Sequence, residues 1–318
     1  MYCDRCNRQV FYRRPYSGES LCEKCFSNSI EEKVRRTISR YNMLKHGERI
    51  GIAVSGGKDS LSLLSIMSKI APDHGSEIIA ITIDEGIEGY RDESIENARY
   101  ITRKLGIKMI VLGYKDLFGF SQDEAMTRKS TKITSCAICG TLRRRAIDIA
   151  ISRADVDVVA TAHNLDDMVQ TFLINVMNGD MRRLAWLSGV SSGSAFKTRR
   201  IHPFMEIYEK ESTLYAFVNH IPLQTEKCPY MNEGIRSTIR AFLNGLEDLH
   251  PGIKLMMLKS ALSIAESLRK DYGSVAAKRC SLCGLPSSKD PCLACQLSSM
   301  LSLPVFNKRL AVNRLGDG

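Results

Sequence analysis

The sequence predicts an α/β fold, a doubly wound parallel sheet with a small zinc module at each end of the chain. Three observations support this prediction. Strand-like apolar runs alternate with helical patterns through the middle of the chain, as in βαβ units. The segment SGGKDS at 55–60 lies between one such strand and the next helix. Four Cys-x-x-Cys pairs lie near the two ends of the chain.

The composition is that of a globular protein. The chain has 318 residues, of which 44% are hydrophobic and 25% charged, and this balance excludes a disordered or fibrous chain. The longest mostly apolar runs, such as 78–83, are far shorter than the roughly 18–20 residues of a membrane span. No apolar signal segment opens the sequence, because residues 1–14 already contain cysteines, an aspartate and arginines. We therefore expect a cytosolic protein that does not enter a membrane.

The predicted elements follow one another in chain order. A helix at 27–46 precedes the sheet, and its apolar residues recur on one face. Strands are predicted at 50–54, 78–83, 108–113 and 156–162. Helices are predicted directly after 60, at 91–104 and 141–153, after 162, and at 208–218, 236–248 and 254–270. Residues 188–200, which are rich in serine, glycine and basic residues, predict a mobile basic loop.

The cysteines are the most informative residue type. There are 11, an odd number that cannot pair completely within one chain, and a cytosol would reduce most disulfides. Eight of them form two four-cysteine sets: Cys3, Cys6, Cys22 and Cys25, and Cys280, Cys283, Cys292 and Cys295. Two Cys-x-x-Cys turns complete a tetrahedral thiolate site, the usual arrangement for structural Zn²⁺. Free buried thiols would require this spacing to recur four times by chance.

Two bound Zn²⁺ ions would divide the chain into three parts. We predict an N-terminal zinc module at 1–26, a central domain at 27–275, and a C-terminal zinc module with a tail at 276–318. Such short ribbons hold too few apolar residues to fold alone, so the metal supplies their folding energy. The modules either staple the chain ends or, through neighbouring arginines and lysines, contact nucleic acid.

Three cysteines remain, Cys136, Cys139 and Cys228. They cannot close a four-ligand structural site without another residue. They are either a redox pair with one spare thiol or three ligands of an iron–sulfur cluster whose fourth iron is open. The spacing alone does not choose between these alternatives.

The segment SGGKDS has the chemistry of a phosphate-binding loop. Its glycines let the backbone approach an anion, and the free N–H groups of the following helix attract phosphate. Lys58 adds a positive charge, and Ser55 or Ser60 a hydroxyl hydrogen bond. The spacing matches neither the Walker A loop nor the dinucleotide fingerprint GxGxxG.

This loop resembles that of the N-type ATP pyrophosphatases, the PP-loop proteins of the adenine nucleotide alpha hydrolase-like fold, which activate a carbonyl oxygen by adenylation. Within that superfamily, Cys136-Ala-Ile-Cys139-Gly140, the distant Cys228 and the two terminal modules resemble the archaeal and eukaryotic tRNA 2-thiouridine synthases over nearly the whole chain. One branch modifies the wobble uridine and the other a T-loop uridine. The T-loop branch commonly has a lysine where this chain has Arg143. That difference, with the segment DEGIEGYRDES at 84–94, favours the wobble branch.

The resemblance implies roles for individual residues. ATP would bind the loop, Asp84 and His163, and Mg²⁺ would bind Asp59 and Asp167. The ATP-binding loop residues are Ser55, Gly56, Gly57, Lys58, Asp59 and Ser60. A 4Fe–4S cluster on Cys136, Cys139 and Cys228 would carry the sulfur, with Cys136, Cys228, Asp59 and Asp167 catalytic. In the competing mechanism one cysteine carries a persulfide and another resolves it as a disulfide.

Each of these roles has a simpler alternative. Asp166 and Asp167 also suit the first turn of a helix, where the macrodipole favours acidic residues. His163 also suits the end of a strand.

The implied partners are a tRNA and a sulfur donor, either a ubiquitin-like thiocarboxylate protein or free sulfide, and relatives are commonly homodimers. A net charge of +10 favours RNA. Candidate backbone contacts are Arg143, Arg144, Arg145, Arg182, Arg183, Lys197, Arg199 and Arg200. Candidate base-stacking residues are Tyr90, Phe118, Phe120 and Trp186.

Three further functions stay open at this point. Related enzymes thiolate a tRNA cytidine, although they usually lack paired zinc modules. Others attach lysine to a cytidine and need no central cysteines. A non-catalytic zinc protein that binds RNA would use the Gly-Gly loop only as a turn, and would not convert ATP to AMP.

Overall fold

The computed structural model describes residues 1–129, 133–192, 198–230, 235–272 and 278–304. Ten strands are present in these ranges: β1 (Tyr12–Arg13), β2 (Ser20–Leu21), β3 (Arg49–Ala53), β4 (Glu77–Asp84), β5 (Lys108–Gly113), β6 (Val158–Ala160), β7 (Val190–Ser192), β8 (Arg199–Ile201), β9 (Lys278–Arg279) and β10 (Pro286–Ser287). The described ranges also contain twelve α-helices: α1 (Glu23–Arg40), α2 (Lys58–Ile70), α3 (Arg91–Leu105), α4 (Tyr114–Phe118), α5 (Gln122–Thr127), α6 (Ser135–Ala154), α7 (Leu165–Met177), α8 (Met181–Ala185), α9 (Glu209–Val218), α10 (Arg236–Leu249), α11 (Ile253–Tyr272) and α12 (Leu293–Met300).

Six of the strands form the central sheet, in the order β5-β4-β3-β6-β8-β7. The first five are parallel, and β7 pairs antiparallel with β8 at the edge. The chain runs from β3 outward to β5 and then returns to the other side of β3 with β6. The strand order therefore reverses between β3 and β6, and ligands of doubly wound folds bind at this switch point. This arrangement confirms the predicted fold class.

The sheet separates two apolar clusters, because alternate residues of a strand face opposite sides. Ile50, Ile52 and Ala80 pack in one cluster with α1, α2, α7, α9 and the first cysteine set. Ile79 and Ile81 pack in the other with α4, α6, α12 and the second cysteine set. Each terminal module thus packs on its own face of the central domain. None of the described helices is both long and apolar enough to cross a membrane.

Several predicted boundaries were wrong. The first helix covers Glu23–Arg40, not 27–46, because Asn42 has a positive φ of 48° just after its end. The basic loop predicted at 188–200 contains strands β7 and β8, whose pairing buries Ile201 completely. The middle of that segment, 193–197, lies outside the described residues. The two terminal hairpins and α4, α5, α8 and α12 were not predicted, because they are too short for a periodic signal.

Candidate nucleotide and sulfur site

The SGGKDS segment forms a tight loop between β3 and α2. Gly56 has φ +85°, and a Cβ atom there would lie 1.9 Å from the carbonyl oxygen of Ser94. Only glycine fits this position. The Ser60 hydroxyl donates to the Gly57 carbonyl oxygen at 2.9 Å, and the Ser55 amide donates to the Ser60 hydroxyl at 3.1 Å. The loop is therefore held in shape by its own hydroxyl groups.

The N-terminus of α2 faces the same loop and presents its backbone amides. Gly57 caps the helix and has no side chain to accept from them, so these N–H groups remain available to an anion. Lys58 Nζ donates to the Asp59 carboxylate at 2.8 Å and lies 3.6 Å from a Glu209 carboxylate oxygen. The Oδ1 atom of Asp59 is buried and has no hydrogen-bond partner among the described residues. Amide donors, a lysine and an unpartnered carboxylate oxygen suit ATP with Mg²⁺.

Asp167 lies across the switch point, at the start of α7. It forms a capping box with Asn164: each backbone amide donates to the other residue's side chain. Burial raises the pKa of Asp167, the charge of His163 opposes this shift, and the charge of Asp59 reinforces it. The Asp59 and Asp167 carboxylates thus interact electrostatically. Arg236 approaches Asp167 to 3.8 Å.

Asp166, the neighbouring carboxylate, has a structural role. It accepts from the buried Lys254 at 2.5 Å and from the backbone amide of Glu209 at 2.7 Å. It thereby ties α7 to α9 and α11. The two adjacent aspartates therefore have different roles, because Asp166 faces the interior and Asp167 faces the cleft.

His163 lies beside Asp167 and contacts a second histidine. Thr161 Oγ1 is 2.7 Å from Nδ1 of both His163 and His202, whose rings meet edge to face. Desolvation in this crowded cleft lowers the pKa of His163, against the opposing effect of Asp167. Desolvation also lowers the pKa of His202 to about 3, so the His202 ring is neutral at pH 7. The His163 ring is exposed at the cleft and can reach a ligand.

Asp84 ends β4, the strand next to β3. Its carboxylate accepts from the Gly86 amide at 2.9 Å, which fixes the turn after the strand. The following residue, Glu85, is 2% exposed and forms ion pairs with Arg91 at 2.7 Å and Arg143 at 2.5 Å.

The three central cysteines lie in one neighbourhood next to this turn. Cys136 and Cys139 lie one turn apart near the start of α6, Cys136 exposed and Cys139 half-buried. Cys228 is close enough to Cys139 for their charges to interact. The Cys136 sulfur approaches the carbonyl oxygen of Tyr230, two residues beyond Cys228, at 3.7 Å.

These central sulfurs are more widely spaced than those of the terminal sets. In each terminal set all four sulfurs lie within 4.8 Å of one another, and among the described residues the central three do not meet that criterion. A 4Fe–4S cluster binds each cysteine through a different iron and so suits a wider spacing than a single ion does. The set therefore fits a cluster better than mononuclear zinc.

Arg143 is the cation nearest to the cysteines. Its Nη2 donates to the Cys139 sulfur at 3.4 Å, while the Tyr114 hydroxyl donates to the Cys139 carbonyl oxygen at 3.0 Å. Burial raises the pKa of the Cys139 thiol, and Arg143 opposes that shift. Arg143 was predicted to contact tRNA. In the structure it forms an ion pair with Glu85 and a hydrogen bond to the Cys139 sulfur.

The two terminal four-cysteine sets have the geometry of structural zinc sites. Contacts of 3.6 Å join the sulfurs of Cys6 and Cys22 and those of Cys6 and Cys25, and the sulfurs of Cys283 and Cys292 are 3.9 Å apart. A tetrahedral ion with Zn–S bonds of about 2.3 Å requires sulfurs about 3.8 Å apart. The residues therefore fit Zn²⁺.

Several other predicted contacts differ in the structure. Arg199 pairs with Glu48 and Arg200 with Asp148, so neither is free to follow an RNA backbone. Arg145 is buried and donates to the Pro286 carbonyl oxygen. Three predicted contacts are exposed: Arg144, Arg182 and Arg183. Lys197 lies outside the described residues.

The candidate stacking residues divide in the same way. Phe118 and Phe120 belong to the core, where they are 3% and 2% exposed. Tyr90 is half-buried near Cys228, and Trp186 is 44% exposed. Only Tyr90 and Trp186 are therefore accessible to a base.

Sequence reasoning assigned no role to several residues of the site: Glu85, Arg91, His202, Arg236 and Lys254. Two of them, Glu85 and Arg91, lie within the segment at 84–94 that supports the family resemblance, and this position was a signal that they belong to the site. Their pairing partners lie far away in sequence, however, so spacing could not reveal the contacts.

Comparisons with known proteins place this architecture in a class. The family model described as a PP-loop domain matches residues 27–246, and that described as "2-thiouridine synthetase TtuA, N-terminal LIM domain" matches residues 2–27. The chain is therefore a PP-loop protein, as its nucleotide loop at the switch point indicates.

Its relatives narrow this class. Cytoplasmic tRNA 2-thiolation protein 1 of Chlamydomonas reinhardtii is 35% identical over 98% of this chain and 87% of the relative. The protein of the same name from Schizosaccharomyces pombe is 34% identical over 98% and 94%. The solved U34-tRNA thiolase NcsA from Methanococcus maripaludis, with its [4Fe-4S] cluster, is 28% identical with a TM-score of 0.82, covering 97% of this chain and 98% of that one. The chain belongs to the family of cytoplasmic tRNA 2-thiolation protein 1, and the resemblance seen in the sequence is confirmed.

Proposed function

We propose that this chain is a cytoplasmic, ATP-dependent tRNA uridine 2-sulfurtransferase that acts on the wobble uridine. One observation carries the proposal: the nucleotide loop and the three-cysteine set lie at one edge of the sheet, joined by the buried contacts of Glu85. The curated relatives are named for cytoplasmic tRNA 2-thiolation, and the solved thiolase is named for U34. An enzyme with both sites can activate an oxygen with ATP and replace it with sulfur.

The first half of the reaction activates the C2 oxygen of the uridine. That oxygen attacks the α-phosphorus of ATP, pyrophosphate leaves, and the base loses its N3 proton. The α2 amides and Lys58 bind the phosphates, and the free Oδ1 of Asp59 with Asp167 would hold Mg²⁺, which neutralises phosphate charge. Asp84 and the exposed ring of His163 line the same strand ends and contribute to nucleotide binding.

The second half replaces the activated oxygen with sulfur, and AMP leaves. Cys136, Cys139 and Cys228 would hold a 4Fe–4S cluster, which supplies an iron without a protein ligand. Arg143 donates to the Cys139 sulfur, and the Tyr114 hydroxyl donates to the Cys139 carbonyl oxygen. These two contacts orient both the side chain and the backbone of this ligand. The exposed position of Cys136 leaves the set open to substrate.

The terminal cysteine sets would each hold one Zn²⁺ as staples of the modules at 1–26 and 276–318, on either side of the domain at 27–275. Their sulfurs are mostly buried and leave no open ligand position. Exposed arginines, including Arg182 and Arg183, supply tRNA backbone contacts. The sulfur donor is a thiocarboxylate carrier protein or free sulfide, and the enzyme acts as a homodimer.

The decisive experiment is an anaerobic thiolation assay with ATP, sulfide and tRNA that lacks the modification. We expect AMP and pyrophosphate to form together with 2-thiouridine, mapped by nuclease digestion and mass spectrometry to the wobble position. A Lys58→Ala variant should lose AMP formation because the phosphates lose their cation.

The alternatives give different results in this assay. Sulfur at a T-loop uridine or at a cytidine would replace the wobble assignment. Absence of AMP with the wild-type protein would support a zinc-dependent RNA-binding protein instead. Full activity in iron-free protein with intact thiols would favour the persulfide route.

A further inference from the structure

Glu85 connects the two halves of the site through buried contacts. Its carboxylate is 2% exposed and meets one arginine at each oxygen. Arg91 Nε lies 2.7 Å from Oε2, and Arg143 Nε lies 2.5 Å from Oε1. Arg91 is buried as well, whereas the Arg143 side chain is 42% exposed. A buried carboxylate is tolerated only when such partners compensate its desolvation.

The other ends of the two arginines contact the functional segments. Arg91 Nη1 donates to the Ser55 carbonyl oxygen at 2.8 Å, at the first residue of the nucleotide loop. Arg143 Nη2 donates to the Cys139 sulfur at 3.4 Å. The contacts thus run without a break from Ser55 through Arg91, Glu85 and Arg143 to Cys139.

The guanidinium groups of Arg91 and Arg143 are suited to contacting two partners at once. A guanidinium presents several donors in a rigid fork, so one nitrogen can face Glu85 while another reaches the loop or the sulfur. Lysine has a single nitrogen and cannot bridge both partners in the same way. The backbone of Glu85 is also fixed, because its carbonyl oxygen accepts from the Gln122 amide at 2.7 Å.

We propose that Glu85 is a positioning residue for both half-reactions. Through Arg91 it holds the Ser55 end of the nucleotide loop, and through Arg143 it holds a hydrogen-bond donor on the Cys139 sulfur. This inference rests on the proposed function, because it assumes ATP at the loop and a cluster on the cysteines. Hydrogen bonds to the sulfurs are among the factors that set the reduction potential of an iron–sulfur cluster. Loss of a hydrogen-bond donor from a ligating thiolate lowers that potential.

The test measures the two ends separately. In Glu85→Gln, which keeps the side-chain volume but removes the charge, we expect ATP-analogue affinity to fall about tenfold, as for other outer-shell changes. Calorimetry on the cluster-free protein measures this affinity. We also expect the cluster's midpoint potential, from an anaerobic titration followed by electron paramagnetic resonance, to become more negative. Arg143→Gln should shift only the potential, and Arg91→Lys only the nucleotide affinity.

Arg144→Gln is the matched control. It removes the same charge one residue further along α6, where the side chain is exposed and donates to Thr141. We expect wild-type values for both readouts in this variant. If Glu85→Gln does not fold, Arg143→Gln and Arg91→Lys carry the test, because each must move one readout and leave the other unchanged.

The outcomes distinguish this proposal from the proposed function. Unchanged values in Glu85→Gln, or an equal shift of potential in Arg144→Gln and Arg143→Gln, would overturn the positioning role while the wild type still binds ATP and a cluster. A wild-type protein that binds neither would overturn the proposed function, and this inference with it.

Discussion

The terminal four-cysteine sets and the central three-cysteine set use the same residue in opposite ways. In the C-terminal set all four cysteines are buried and their sulfurs converge within 4.8 Å. In the central set Cys136 is exposed and Cys139 and Cys228 are half-buried, with an arginine and three tyrosines as neighbours. A closed ligand sphere holds a structure together, whereas an open set beside charged groups suits chemistry.

The two kinds of site are also physically connected. The C-terminal set packs in one apolar cluster with Ile138, Leu142 and Ala146 of α6, the helix that carries Cys136 and Cys139. Arg145 of the same helix donates to Pro286 of the C-terminal module. The C-terminal module therefore supports the helix that carries Cys136 and Cys139. If the two kinds of set have the roles proposed for them, changes in each should have separable effects on activity and stability.

Replacing a central cysteine should produce the largest effect on activity. In Cys228→Ala we expect thiolation to fall below detection, because the central set loses a ligand. The zinc content and the free energy of unfolding should stay close to wild type, within about 1 kcal/mol, because no closed metal site is disturbed. Mass spectrometry of the tRNA, metal analysis and urea unfolding measure these quantities. Full thiolation in this variant would remove Cys228 from the reactive set.

Replacing a terminal cysteine should reverse that pattern. In Cys292→Ala we expect the zinc content to drop from two ions to one, and the free energy of unfolding to fall by about 3 kcal/mol or more, because the metal supplies the folding energy of the module. Hydrogen exchange should show lost protection within 278–304 and at the start of α6. Cys136→Ala, which breaks no zinc site, is the control. Two retained zinc ions in Cys292→Ala would show that this set does not hold the metal.

A polar anchor connects the N-terminal module to the central domain and gives the third test. Glu211, fully buried on α9, accepts from Arg14 at 2.7 Å and from the Tyr16 hydroxyl at 2.8 Å. Arg14 also pairs with Glu19 at 2.7 Å, but Glu19 is 24% exposed, so Glu211→Gln removes the one fully buried counter-charge of Arg14. Stability should therefore fall by about 3 kcal/mol.

The matched control for this test is the surface pair between Arg5 and Glu32. We expect Glu32→Gln to change stability by less than about 0.5 kcal/mol, because exposed ion pairs contribute little. Equal stabilities of the Glu211 and Glu32 variants in urea would contradict an anchoring role for Glu211.

The smallest effect is a pH dependence that arises in the nucleotide cleft, outside both kinds of cysteine site. Desolvation lowers the pKa of His202 to about 3 in the folded state, from 6.5. Below pH 6.5 the unfolded chain binds a proton there that the folded chain does not, so acid destabilises the fold. From pH 7 to 5.5 we expect His202 to contribute a loss of about 1 kcal/mol, measured by urea unfolding. His202→Asn should remove this contribution and leave that of the neighbouring His163, whose pKa is also lowered. An unchanged pH dependence in the variant would contradict this assignment.

Much of this organisation could be predicted from the sequence. Several features depend only on residues that are close together in sequence. They are the strands at 78–83 and 108–113, the glycine loop, and the spacing of the eight terminal cysteines. The switch point itself became apparent only from the observed strand order, because alternating strands and helices do not specify which strands are neighbours.

What the sequence could not reveal depends on contacts between distant segments. The ion pair of Arg143 with Glu85 joins residues 58 positions apart, so spacing could not show that this partly exposed arginine pairs with a buried carboxylate. The pairings of Arg199 and Arg200 arise because β8 joins the sheet beside β6, and their partners, Glu48 and Asp148, lie far away in sequence. The separate roles of Asp166 and Asp167 likewise depend on Lys254, which reaches Asp166 alone from α11.

We propose that the 11 cysteines divide into two zinc staples and one reactive set. Metal and sulfide analysis of anaerobically purified protein, wild type beside a variant with Cys136, Cys139 and Cys228 all changed to serine, tests it directly. We expect about four iron atoms and two zinc ions per wild-type chain, and in the variant two zinc ions without iron. Iron retained in the variant, or zinc lost from it, would contradict the division.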